Sequence, residues 1–123
     1  MKIVIPADVN RTDSQVSLAF GRAPYFAVYN TETCNTDFIS NSAAESSGGA
    51  GIKAAQALVN LGAEAMISFR CGENAAAVLN SSGIKMFQAE AGSVALNVKL
   101  YTESRLNALK DIHPGFHGQT TNL

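Results

Sequence analysis

The sequence predicts an α/β domain built on a mixed five-stranded sheet, and three observations carry that prediction. A helix-forming run closed by glycine and followed by a short apolar strand occurs twice, at Gly51–Leu61, Gly62 and Ala65–Phe69, then at Glu73–Asn80, Gly83 and Ile84–Phe87. Strands separated by such helices run parallel. Ahead of them Tyr25–Tyr29, rich in aromatic and branched residues, is joined through Asn30–Asn35 to Thr36–Ser40, which reads as an antiparallel hairpin. Lys2–Pro6 adds a short buried strand in front of both.

Each later element has a local reason. In the first helix Ile52, Ala55 and Val59 fall at i, i+3 and i+7, giving one apolar stripe with Lys53, Gln56 and Asn60 turned outward. Gly62 and Gly83 stand where a helix C-terminus favours a left-handed residue. Ser93 is the expected cap of a last helix reaching about Glu103, with Val94, Val98 and Tyr101 on its buried face. Leu106, Leu109 and Ile112 predict a further turn of helix packed on the domain. From His113 to Leu123 the chain is rich in glycine, threonine and asparagine and reads as a flexible tail, leaving residues 1–112 as the domain.

The 123 residues, 46% hydrophobic and 15% charged, suffice for one core and do not read as disordered. A net charge of −1 argues against a general nucleic-acid binder. No apolar run approaches the roughly 20 residues of a membrane helix, and the apolar start is too short for a signal peptide, so no membrane is expected and the cytoplasm is the expected location. Cys34 and Cys71 match no metal-ribbon spacing and read as reduced thiols; Cys34 in the hairpin turn and Cys71 at the opposite sheet edge are too far apart for a disulfide. His113 and His117 would face one metal only on a helix, which Pro114 and Gly115 oppose, so they are expected as incidental tail residues.

If the hairpin continues the first strand, the ends of strands one, three and four open on one edge. Three connections gather there. Residues 7–24 form a long loop carrying Asp8, Arg11, Asp13 and Arg22. Residues 41–51 hold Glu45 and the run Ser47, Gly48, Gly49, Ala50, Gly51 at a helix start. Arg70, Cys71, Gly72, Glu73 and Asn74 form the third, again at a helix start.

Two helix N-termini with close backbone access and arginines nearby make an anion receptor. The same glycines also suit a tight loop packed on the sheet, and the run fits neither the phosphate-loop nor the dinucleotide spacing. Cys71, at a helix start beside an arginine, is expected either as a favoured thiolate suited to soft metals or as a buried inert thiol. The enzyme inventory is poor: no histidine lies in the core region and no serine has a triad partner. Asp8, Glu45 and Glu73 could form a Mg²⁺-holding nuclease cluster, but loop and helix-start acids explain them better.

The segments Phe20-Gly21-Arg22-Ala23-Pro24-Tyr25-Phe26, Asn41, Gly48-Gly49-Ala50-Gly51-Ile52, Cys71-Gly72-Glu73-Asn74-Ala75 and Gly83-Ile84 resemble the dinitrogenase iron-molybdenum cofactor biosynthesis family over about residues 1–104. This family includes nitrogenase accessory proteins and the orange-protein group, associated with a molybdenum-copper sulfide cluster. The resemblance implies a ribonuclease-H-like three-layer fold without nuclease activity, binding a metal-sulfur cluster or acting in its delivery. Many members carry histidine before Phe-Gly-Arg, where this chain has Ala19, which cannot ligate a metal.

The expected function is a small non-catalytic protein that binds or carries an anionic molybdenum, iron or copper sulfide cluster, held noncovalently, with a cofactor-assembly or recipient protein as partner. Ser47, Gly48, Gly49, Ala50 and Gly51 with Gly72, Glu73 and Asn74 would donate backbone N–H groups. Arg11, Arg22 and Arg70 would supply charge, Cys71 a soft ligand, and the resemblance adds Phe20 and Gly21 to the binding set. The alternative is a regulatory or interaction module that binds a small anion without a cluster.

Overall fold

Alternating burial along the first strand sets the architecture. In the computed structural model, which describes residues 1–113, β1 (Lys2–Ala7) directs Ile3, Ile5 and Ala7 to one face and Val4 to the other, all fully buried. β2 (Tyr25–Asn30) and β3 (Asn35–Ser40) form the expected hairpin, and a short 3₁₀ turn (Ser42–Glu45) leads into α1 (Ala50–Leu61). β4 (Ala63–Ser68), β5 (Cys71–Gly72), α2 (Glu73–Ser81), β6 (Lys85–Gln88), α3 (Val94–Thr102) and β7 (Ile112–His113) complete the order. No described helix is long and apolar enough to cross a membrane.

The main sheet has five strands in the order β3-β2-β1-β4-β6, and β2 alone runs against the others. α1 and α2 bury Ala54, Ala55, Leu58, Ala75, Ala76 and Leu79 with Val4, Phe26 and Met66 on one face. α3 covers Ile3, Ile5, Ala27 and Ile67 on the other, through Val94, Val98 and Tyr101. This is the predicted ribonuclease-H-like arrangement of three layers. Because β1, β3, β4 and β6 run together, their carboxyl ends open on a single edge. Gly62 and Gly83 are left-handed, with φ of 74° and 76°, as their places after helices require.

Two expectations about local structure change. Ile52 is not in the buried stripe of α1 but 44% exposed; the helix buries Ala50, Ala54, Ala55 and Leu58 instead, a single face at i, i+4, i+5 and i+8 on which position 52 does not fall. Nor do Leu106, Leu109 and Ile112 form a helical turn. The segment runs along β6, where Asn107 O accepts from Gln88 N (2.7 Å) and Leu109 N donates to Met86 O (3.0 Å). Leu106 then packs with the α3 layer and Leu109 with the α1/α2 layer, so the leucine spacing reflects a strand-like segment straddling the sheet edge. The flexible tail expected from residue 113 lies outside the described residues apart from His113, which belongs to β7, and His117 lies outside them too.

The long loop after β1 is tied down by α3. Ser14 Oγ accepts from Asp8 N (3.1 Å) and Val9 N (3.0 Å), and Val16 N donates to Gly92 O (3.2 Å). At the start of α3, Val94 N donates to Ser14 O (2.8 Å), Ala95 N to Thr12 O (3.0 Å) and Leu96 N to the capping Ser93 Oγ (3.0 Å). That helix end is therefore closed by the protein itself. Asn97, fully buried, completes the corner: Oδ1 accepts from Glu90 N (2.8 Å) and Nδ2 donates to Glu90 O and Ser93 O (both 3.0 Å). Asn97→Ala strands these groups and leaves a cavity, so urea unfolding should show a loss of about 2–3 kcal/mol; an unchanged midpoint would contradict the role assigned to this side chain.

Candidate functional site

The common edge carries a cleft of about 830 Å³. Its walls come from Leu18–Arg22 after β1, Ser47–Ile52 at the start of α1, and Arg70–Gly72 with Asn74 and Ala75 at the start of α2; His113 closes one side. The three connections singled out in the sequence thus meet.

Close backbone approach holds the first two walls together. A Cβ placed on Gly21 would lie 2.6 Å from Gly51 N and 2.7 Å from Gly51 Cα, distances no side chain tolerates. Phe20, buried against Phe26 with ring centroids 5.7 Å apart, and Arg22 anchor this glycine on either side. Arg22 Nη1 donates to Ala44 O (2.8 Å) and Ser46 O (3.0 Å), so the guanidinium clasps the connection before α1. Asn41 ties the same walls from beneath, donating to Gly21 O (3.0 Å) and Ala23 O (2.9 Å) while accepting from Ala43 N (3.2 Å).

The helix ends facing the cleft differ from that of α3. The N-caps are Gly49 for α1 and Gly72 for α2, and neither end has a side-chain cap. The N–H groups of Ala50, Gly51 and Ile52, and of Glu73, Asn74 and Ala75, precede the first helical acceptors. Outside the helices, no acceptor among the described residues meets them. Both positive dipole ends therefore open toward one space.

Charge in the cleft has one sign. Arg22 and Arg70 line it, and no Asp or Glu does among the described residues. Arg70, half-exposed, has Asp111 as a distant partner, Nε to Oδ2 3.9 Å. Arg11, expected to add charge, lies outside the lining and pairs with Asp13 at 3.0 Å. Glu73 starts α2 but is also outside the lining. Asp8, Glu45 and Glu73 do not assemble: no three of His, Cys, Asp and Glu come together among the described residues in a way that could hold a metal ion.

Of the two readings of Cys71, the structure supports the buried thiol. Its side chain is 1% exposed within the α1/α2 core, and burial pushes the thiol up to about 11 rather than favouring the thiolate. Cys34, at the exposed hairpin turn, and Cys71 are both free thiols. The lining residues absent from the expected binding set are Leu18, Ala19, Ile52, Ala75 and His113. Ala19 and Ile52 adjoin the motifs that mark the cleft, whereas nothing local in the sequence brings His113 to it.

Gly21→Ala drives a methyl into the Gly51 backbone and should cost about 1–3 kcal/mol in chemical unfolding, while Gly48→Ala, which meets open space, should leave the midpoint unchanged. For Cys71, the unfolded chain loses its proton first as pH rises. The stabilising contribution is full below about pH 9 and gone by about pH 11. Wild type should accordingly lose on the order of 2 kcal/mol more than Cys71→Ala across that window; parallel stability curves would contradict the buried thiol.

Comparison with known proteins agrees with the architecture and the motifs. A protein of Methanocaldococcus jannaschii, MJ0580, is 33% identical over 109 residues, spanning 86% of this chain and 89% of its own. The apo form of the orange protein from Desulfovibrio gigas superposes with a TM-score of 0.83 at 29% identity, covering 89% of this chain and 93% of that one. A NifB-type protein of the DUF35 family from Thermotoga gives a TM-score of 0.77 at 34% identity, covering 87% and 91%. The dinitrogenase iron-molybdenum cofactor family model matches residues 1–104, and with the Phe-Gly-Arg clasp and the paired glycine-capped helices in place, the chain belongs to that family.

Proposed function

We propose that this protein binds or carries an anionic metal-sulfur cluster or its precursor, of the molybdenum, iron or copper sulfide type, and exchanges it with a cofactor-assembly or recipient protein without catalytic turnover. The observation that carries this reading is the pair of uncapped helix N-termini sharing one cleft that no carboxylate lines among the described residues, while the N-terminus of α3 is closed internally. Family membership and the likeness to the orange protein support it.

The donor set fits such a cargo. Backbone N–H groups of Ala50–Ile52 and Glu73–Ala75 can bond to several sulfides at once, and Arg70 supplies a full charge beside them. The cleft is far larger than one oxyanion fills. Its mouth carries Leu18, 73% exposed, and Ile52, 44% exposed, which suit a weakly hydrated sulfide surface better than a strongly hydrated anion. Arg22 works from behind, holding the wall through Ala44 and Ser46.

Anaerobic reconstitution of the apo-protein with tetrathiomolybdate and copper, or with iron and sulfide, should give a visible charge-transfer band. Arg70→Ala should weaken uptake about tenfold, the worth of one charge-assisted contact. Protein that stays colourless under all of these conditions would refute the proposal.

A further inference from the structure

We propose that His113 is a side-chain ligand to a metal of the bound cargo, so that the segment beyond the family domain completes the cleft. This rests on the cluster-carrying reading above. The family match ends at residue 104, yet the chain continues along β6 and returns to the start of α2. There Cys71 N donates to Asp111 O (2.9 Å), and β5 and β7 pair in parallel, Cys71 with Ile112 and Gly72 with His113.

This pairing sets the imidazole over the N-cap of α2. His113 Cε1 lies 3.7 Å from where a Cβ on Gly72 would stand, an ordinary van der Waals contact. The ring is half-buried, lines the cleft, and sits at the helix end whose N–H groups lack acceptors. An anion drawn to those groups is drawn against the ring.

Chemistry then separates the two lining side chains suited to a soft or borderline metal. Cys71 is sealed in the apolar core at 1% exposure and would have to ionise there to ligate. An imidazole ligates through a ring-nitrogen lone pair and suits copper and iron. The cargo's own sulfides fill the remaining positions, so no protein cluster of three ligands is required. In the step itself the nitrogen lone pair replaces a solvent molecule on the metal, and no electron is transferred.

The test loads the full chain anaerobically with copper(I) and tetrathiomolybdate and reads the copper-edge X-ray absorption. Wild type should show sulfur neighbours plus a nitrogen scatterer at about 2.0 Å. His113→Ala should lose that scatterer and bind copper at least about tenfold more weakly while keeping the molybdenum-sulfur band; His113→Gln should do the same if the alanine variant folds poorly. His117→Ala should retain the nitrogen. A coloured wild type with an all-sulfur copper shell, or nitrogen surviving in both His113 variants, overturns this proposal alone. A wild type that takes up no colour overturns the cargo reading and this proposal with it.

Discussion

Helix N-termini expose N–H groups that must find acceptors, and this chain treats α1, α2 and α3 unequally. α3 has Ser14 O, Thr12 O and Ser93 Oγ in place. α1 and α2 begin on glycine, where no side-chain oxygen can cap them. Leaving two such ends open is unfavourable for an isolated fold and favourable for one that receives an anion. The close passage of Gly21 across the Gly51 backbone, with Arg22 and Asn41 bracing it, keeps the walls together around those ends.

Sheet topology makes the arrangement possible. Reversing β2 alone sends four strands toward one edge, so a loop and two helix starts separated in sequence become neighbours. Charge follows the same division. Arg70 faces the cleft with a partner 3.9 Å away, whereas Arg22 is committed to carbonyls and Arg11 to Asp13. The three arginines do three different things.

At Cys71 two effects compete and their sizes decide the outcome. A helix start contributes about 0.3–1 kcal/mol toward a negative group, while full burial can move a thiol by several pKa units in the other direction. Burial wins because the side chain turns into the α1/α2 core, with Ala75 and Leu79 in the same cluster. Of the two roles open to Cys71 the structure supports the buried thiol, and the imidazole that lines the cleft comes from a strand outside the main sheet.

The sequence by itself determined the five strands of the main sheet, the hairpin, the two glycine-closed helix units and the three connections that build the cleft. Those features rest on periodicity, turn chemistry and capping, which act within a few residues. Only the tertiary structure decided that Ile52 faces outward, that Arg22 clasps Ala44 and Ser46, that Cys71 is sealed, and that residues 107–109 run along β6 instead of coiling. Leucines spaced three apart serve a helix face or a segment astride a sheet edge equally well. The neighbour at the edge settles which, and no local pattern encodes it.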